Sequence, residues 1–341
     1  MIAIFVALPD GLLTLRREGD RWLVERPLDG LPTQCVAADP LRAARLYCGT
    51  FGRGLWRSHD GGASWHSLGR VFRSSQVMAV AVSRTERVGD LGVVYAGTEA
   101  TALYRSDDGG DTWRELDALL ALPSAPSWSF PPRPYTSHVR AIACDPNTPG
   151  RLYVAIEAGA LVSSDDGGAT WTDRVASGPF DSHTLVTPAA MPGLIYSAAG
   201  DGYFESRDAA RTWSRPDDGL PYHYCWGLAA DPADPETLLL SAGPGPYQAH
   251  NIEGARSAVF RKTAGESWRQ VQVRDGLPAE GGTLASTLAA SPAEPGVFYA
   301  ANNTGLYQSR DAGQTWQRLD IPWPERARNQ RPEALLVVDL P

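Results

Sequence analysis

Ser106-Asp-Asp-Gly-Gly-Asp-Thr-Trp113 and Ser164-Asp-Asp-Gly-Gly-Ala-Thr-Trp171 are two copies of one motif, and their tryptophans stand 58 residues apart. Three further copies are Ser58-His-Asp-Gly-Gly-Ala-Ser-Trp65, Ser206-Arg-Asp-Ala-Ala-Arg-Thr-Trp213 and Ser309-Arg-Asp-Ala-Gly-Gln-Thr-Trp316. The shared pattern is S-x-D-x-G-x-[ST]-W, with Ala210 at the Gly position of the Ser206 copy. Two more copies are eroded. Arg261 to Trp268 keeps Gly265, Ser267 and Trp268 but has Thr263 in place of Asp, and Leu15 to Trp22 keeps only Gly19 and Trp22. The seven tryptophans 22, 65, 113, 171, 213, 268 and 316 recur every 42 to 58 residues, the length of one four-stranded repeat.

The chemistry of the motif is that of a turn. Ser and Asp side chains bond to nearby backbone groups and close a tight hairpin. Gly admits positive φ, and the Trp opens the next strand, where it can pack between repeats. The Asp carboxylates are therefore structural rather than catalytic. Upstream of each box an apolar strand ends in Asp-Pro or an analogue and a second strand follows. Examples are Cys35-Val-Ala-Ala-Asp-Pro40 with Leu46-Tyr47, Ala141-Ile-Ala-Cys-Asp-Pro146 with Leu152-Tyr153, and Gly227-Leu-Ala-Ala-Asp-Pro232 with Leu238-Leu239. The unbroken apolar run predicts an innermost strand buried on both faces. Each repeat reads as inner strand, turn, second strand, top loop, third strand, box and outer strand. The N-terminus starts at a second strand (Ile4 to Leu8), and the missing inner strand is supplied by Ala334 to Leu340.

The expected fold is therefore all-β: a seven-bladed β-propeller with Asp-box repeats. It spans residues 1–341 as a single domain, with the C-terminal strand joining three N-terminal strands in one blade. The motif resembles the Asp box of BNR-type propellers. These include sialidase-like enzymes and other BNR glycosyl hydrolases such as xyloglucanases, sortilin-type receptors and photosystem II assembly factors. The resemblance covers nearly the whole chain, but it identifies a scaffold and not a chemistry.

Composition narrows the function. The formal net charge is -8, and Lys262 is the only lysine. An acidic chain without a basic run is a poor partner for nucleic acid or an anionic membrane. The apolar start is too short for a span and lacks a basic leader, so a cytoplasmic location is expected. The four cysteines, Cys35, Cys48, Cys144 and Cys225, lie in strand patterns without a disulfide-framework spacing and read as reduced core thiols.

In this strand order the boxes lie on the bottom face, and the outer-to-inner and second-to-third loops form the top, where sites on rigid scaffolds usually sit. Two top loops are long. Residues 123–137 are Pro-rich and carry Trp128, Phe130 and Tyr135, as expected of a rim or lid. Residues 243–255 carry Tyr247 and His250. Of six histidines, His59 (in a box) and His66 (on an outer strand) read as surface. His138, His183 and His223 stand at the heads of the inner strands of consecutive blades three, four and five. Glu99 and Glu157 share one loop position in blades two and three, Asp201 lies near it in blade four, and Asp181 heads blade four. Gln34, Gln76, Arg140, Tyr224 and Trp226 come from comparable inner positions.

One sector of the funnel thus gathers imidazoles, carboxylates, an arginine and aromatic walls. Such a set can bind Zn, Fe or Mn or work as acid and base. The first expectation is a propeller hydrolase or lyase for a small molecule. His138, His183, His223, Glu99, Glu157, Asp181 and Arg140 are its candidate catalytic residues. His138, His183, His223 and Glu157 are candidate ligands of a divalent metal ion. Tyr224, Trp226, Trp128, His250, Gln76 and Asp201 are candidate contacts to a small-molecule or sugar-like ligand, and Arg140 would hold an anionic group. A second reading is a glycosidase of the BNR type, with two of Glu99, Glu157, Asp181 and Asp201 across the bond; the Arg-Ile-Pro motif of sialidases is absent from the sequence. A third is a non-catalytic binding or assembly module that docks a protein partner on its rim.

Overall fold

The structure is a computed structural model that describes residues 1–19 and 21–341. Seven antiparallel sheets follow one another along the chain. Blade one is built from Thr33–Asp39, Arg42–Thr50, Gly54–Ser58 and His66–Ser67, from the innermost strand outward. Blade two begins with Gln76–Val88 and Leu91–Glu99, blade three with Val139–Cys144 and Leu152–Ile156, and blade four with Ser182–Val186 and Ile195–Ala199. Blade five begins with Tyr224–Ala230 and Leu238–Gly243, and blade six with Thr287–Ala290 and Phe298–Asn302. Blade seven closes the ring as expected: Ala334–Asp339 pairs with Ile2–Leu8, with Phe5 opposite Leu336, and Gly11–Glu18 and Arg21–Glu25 complete the sheet. Closure pairs the strand edge that an open ring would leave bare.

The five intact boxes fold into one turn. In the first, the Ser58 hydroxyl donates to Asp60 Oδ1 at 2.8 Å and accepts the Gly62 N–H at 2.8 Å. Asp60 then accepts the Ser64 N–H at 2.9 Å. The turns at Asp108, Asp166, Asp208 and Asp311 repeat this bonding. Gly62 is needed twice over. Its φ is +87°, and a Cβ there would come within 2.6 Å of Phe5 in the preceding blade. Trp65 donates its indole N–H to Gly62 O at 3.2 Å and packs with Phe5 and Leu12 of blade seven. Tyr47 reaches the other way, from blade one to Gly109 O in the box of blade two, at 2.9 Å. These contacts stitch each blade to its neighbours. Each large apolar side chain buried between blades contributes about 1.5–3 kcal/mol.

One expectation about the core is corrected. Most inner strands are only half-buried, as in Thr33–Asp39 and Val139–Cys144, with Tyr224–Ala230 of blade five the more buried exception, whereas the second strands Leu152–Ile156, Ile195–Ala199 and Leu238–Gly243 are buried throughout. The inner strands line a central channel, so water reaches one of their faces. The second strands are covered on both faces by adjacent blades. All four cysteines are free, and burial pushes the Cys35 thiol up to about 12. Among the described residues, no helix is long and apolar enough to cross a membrane.

Candidate functional site

The inner strands share an irregularity that builds the site. Pairing between the first and second strand slips between Thr33 and Cys35, Val77 and Ala79, Val139 and Ala141, Ser182 and Thr184, and Cys225 and Leu228. A bulge leaves one residue outside the ladder and re-aims its side chain. The residues at these slips are Gln34, Met78, Arg140, His183 and, in blade five, Trp226 with Gly227, and all of them line one cavity of about 190 Å³. Blades six and seven add Thr287, Leu288 and Glu333, so every blade contributes to this wall.

Glu157 is the hub. It follows the second strand of blade three, and one oxygen, Oε2, lies 2.8 Å from His138 Nε2 and 3.5 Å from Arg140 Nε. The other oxygen, Oε1, faces His183 Nε2 at 3.9 Å. Burial would raise the carboxyl, but the hydrogen bond from His138 and the nearby His183 and Arg140 outweigh it and hold Glu157 well below the usual carboxylate range. Asp181, two residues before His183, puts Oδ2 3.6 Å from the same Nε2. Its Oδ1 accepts the N–H of Ala158 at 2.7 Å, and Ala158 sits at a φ of +50° to present that N–H. Burial raises Asp181, and the neighbouring Glu157 charge adds to the effect. The His183 ring is fully buried, and its Nδ1 donates to Cys225 O at 2.7 Å. Burial lowers its pKa despite the nearby carboxylates, and its Nε2 has no hydrogen-bond partner.

The apolar wall is Trp226, 2% exposed. Arg140 lies with Cζ 4.6 Å from its ring centroid and Arg331 with Cζ at 3.8 Å. His183 and His250 also meet this ring, at 4.4 and 4.6 Å between centroids. His250 comes from a short helix, Pro246–His250, in the top insertion of blade five. Its Nε2 pairs with the Tyr224 hydroxyl at 2.7 Å, and burial followed by the Arg331 charge pushes its pKa down to about 2.

The expected residues divide. His138, Arg140, Glu157, Asp181, His183, Tyr224, Trp226 and His250 come together. His223 does not: it is 57% exposed, beside Asp217 at 3.7 Å. Side chains alternate along a strand, and at this head Tyr224 and Trp226 take the inward phase, which turns His223 outward. Trp128 is no rim platform. It is 7% exposed, donates to Ser124 Oγ at 3.0 Å and packs into the core between blades. Gln76 pairs with Glu99 at the very start of its strand, and Met78 takes the channel position in that blade. Asp201 accepts the backbone N–H groups of Phe180 and Asp181, each at 3.1 Å, and so shapes the loop that carries Asp181. Glu99 stands behind His138, 3.6 Å from its Nδ1, and is clamped by two hydrogen bonds of 2.6 Å from Arg133. Arg133, Arg331 and Glu333 were not foreseen. Arg133 lies within the Pro-rich loop, and Arg331 and Glu333 stand just before the closing strand, where the head-of-strand rule applied to blade seven would have found them.

No protein-family model matches the chain, and no curated protein does. Solved structures do. An ancestral GH74 enzyme aligns at 17% identity over 98% of this chain and 39% of its own, with a TM-score of 0.63. YCF48 bound to a D1 peptide aligns at 15% identity over 99% of this chain and 96% of its own, with a TM-score of 0.60. A functionally unknown protein from Desulfotomaculum acetoxidans aligns at 9% identity over 100% of this chain and 99% of its own, with a TM-score of 0.62. This chain spans well under half of the GH74 enzyme. At such identities the likeness is one of fold, and at that level the resemblance read from the repeats holds.

Proposed function

We propose that the top mouth of the channel is the site of a hydrolase or lyase acting on a small anionic molecule. The observation that carries this reading is Arg140. Its side chain is 8% exposed, its Nε has no hydrogen-bond partner, and it lines a cavity of about 190 Å³ beside the Glu157 cluster. A buried guanidinium nitrogen without a hydrogen bond is expensive, and the one carboxylate near it, Glu157 at 3.5 Å, is already bonded to His138. Arg331 approaches the same indole, and its own carboxylate, Glu333, is 2.9 Å away. The anionic end of a substrate would lie against Arg140 and Trp226, and the reacting bond would face Glu157, Asp181 and His183. The cavity is below the roughly 300–1,000 Å³ of sites for drug-sized ligands, which favours a compact substrate over a polymer.

The glycosidase reading is less favoured. A retaining pair of carboxylates stands about 5–5.5 Å apart across the sugar bond, whereas Glu157 and Asp181 each offer an oxygen within 4.8 Å of the other and both face His183 Nε2, at 3.9 and 3.6 Å. A docking role has one observation in its support: Tyr135 and Tyr247, on the two long top loops, are 85% and 52% exposed. The similar YCF48 structure holds a peptide.

The test is a thermal-shift and turnover screen with small carboxylate-bearing esters, lactones and elimination substrates, run on the parent chain and on Arg140→Met. Turnover with a KM raised at least tenfold in Arg140→Met, at unchanged melting temperature, is expected. No turnover, together with equal responses of parent and variant to every anion, would overturn the reading.

A further inference from the structure

We infer that Glu157 Oε1, Asp181 Oδ2 and His183 Nε2 are the ligand set of one divalent transition-metal ion. The three atoms lie within 4.8 Å of one another. Each belongs to a side chain whose far atom the protein has already fixed. His183 Nδ1–H donates to Cys225 O at 2.7 Å, which fixes the ring and leaves Nε2 turned toward the two carboxylates. Asp181 Oδ1 is held by the Ala158 N–H at 2.7 Å. Glu157 Oε2 is held by His138 at 2.8 Å. The three near atoms face one another. Anchoring the outer atom of a ligand while leaving the inner one bare is how proteins orient metal-binding imidazoles and carboxylates.

The decisive atom is His183 Nε2. It is buried and without a partner, and it faces two carboxylates rather than a donor. A buried ring nitrogen set against two carboxylate oxygens marks a place for a positive centre between them. Ligand bonds of about 2.0–2.2 Å place neighbouring donors about 3–3.5 Å apart, so distances of 3.6 and 3.9 Å need only small side-chain rotations to close. One imidazole with two carboxylates and no sulfur suits Zn, Mn or Fe(II). Three protein ligands leave further positions for water or substrate, and His183 borders the cavity. This corrects the set expected from sequence: His138 orients Glu157 rather than joining the ion, and His223 faces solvent. Binding of the ion stands on this geometry alone; its use to polarise a substrate or bound water rests on the proposed function.

The experiment is metal analysis of the full chain, stripped with a chelator and dialysed separately against Zn, Mn, Fe(II) and Co(II). Elemental analysis, the Co(II) absorption spectrum and melting temperature are the readouts. One ion per chain, a melting temperature raised by several degrees and a Co(II) band are expected. Glu157→Gln and Asp181→Asn keep the shape of the site and should each weaken binding at least tenfold. His223→Ala should bind like the parent. No ion retained by the parent at micromolar concentration, or equal binding by Glu157→Gln and Asp181→Asn, would overturn the inference. The two readings fail separately. Anion turnover in a metal-free chain removes the ion and keeps the enzyme, whereas a stoichiometric ion without turnover keeps the ion and removes the enzyme.

Discussion

Replacing Arg133 by Met should destabilise the chain and loosen the loop over the site, and a double-mutant cycle can measure how much of this belongs to one ion pair. Glu99 is 3% exposed and Arg133 34% exposed, and both hydrogen bonds of the fork measure 2.6 Å. Breaking a fully buried pair costs about 3–5 kcal/mol because a charge stays behind unpaired. An exposed pair contributes about 0.2–1 kcal/mol. This pair is buried at the acid and wet at the base, so Arg133→Met should cost about 2 kcal/mol. The Met keeps contact with Phe130 and Phe51, over whose rings the guanidinium now lies at 4.8 and 5.4 Å. Glu99→Gln leaves a neutral buried amide and a solvated arginine and should cost about 1 kcal/mol. The double variant has no stranded charge and should also cost about 1 kcal/mol, which gives a coupling of about 2 kcal/mol. Urea unfolding read by tryptophan fluorescence supplies the four stabilities. Hydrogen exchange should rise over residues 129–137 in Arg133→Met and return toward the parent in the double variant, with blade six unchanged. A coupling below about 0.5 kcal/mol, the scatter expected of independent sites, would refute the reasoning.

Three further outcomes follow from the same geometry. Burial tends to raise Asp60 and Asp108, but hydrogen bonds from Ser64 and Ser58, and from Thr112 and Ser106, hold both down at about 2 against an ordinary 3.8. A depressed carboxyl stabilises the fold above its unfolded pKa and stops doing so as pH falls through the folded one. Stability should therefore drop between about pH 4 and pH 2, and an Asp60→Asn/Asp108→Asn variant should start lower and drop less. Because these turns are exposed, solvent screening limits each to about 1 kcal/mol or less, a difference that acid titrations of urea midpoints resolve. Ala210 holds a φ of +69° where the other intact boxes carry Gly. Ala210→Gly relieves left-handed strain of about 1–2 kcal/mol and loses about 0.4–1 kcal/mol to the freer unfolded chain. A gain of about 0.5–1 kcal/mol in denaturant unfolding is expected, and a loss would contradict it. A Cβ on Gly200 would lie 2.1 Å from Asp181 Oδ2. Gly200→Ala should therefore displace that carboxylate at a cost of about 1–3 kcal/mol and abolish metal-induced stabilisation without altering the circular dichroism of the sheets.

The fold was legible because each box completes its own chemistry within eight residues. Ser58, Asp60, Gly62 and Trp65 bond mainly to one another, so the sequence records the whole interaction. The site was legible only where strand phase could be read. Counting back five and seven residues from Asp145 gives Arg140 and His138, and from Asp231 gives Trp226 and Tyr224. All four belong to the cluster, and the same count leaves His223 out of phase. Blade four has no Asp-Pro to count from, and there Asp181 and His183 were marked only by residue type at the strand head, while the bulge between Ser182 and Thr184 that re-aims His183 has no signal in the local sequence. Trp128 misled for a different reason. A tryptophan in a Pro-rich loop is equally suited to a rim and to a plug, and only contacts with another blade decide between them.

The missing members of the site follow from how the ring closes. Arg331 and Glu333 precede the strand Ala334–Asp339, which has to pair with Ile2–Leu8 before the last blade exists. Pairing places the Arg331 guanidinium 3.8 Å from the centroid of Trp226, a residue more than one hundred positions away in the chain, and brings Glu333 to the cavity wall. The N–H of Glu333 donates to Ala7 O at 2.8 Å, so the head of this strand is fastened to the N-terminal strand at the level of the site. Closure and site assembly are thus one event. A chain with an open ring keeps Glu157, Asp181 and His183, because these come from adjacent blades three and four, but lacks Arg331 beside Trp226. The Glu157, Asp181 and His183 cluster, with Cys225 of blade five holding His183, therefore needs only three neighbouring blades to form, whereas setting Arg331 beside Trp226 needs the whole circle.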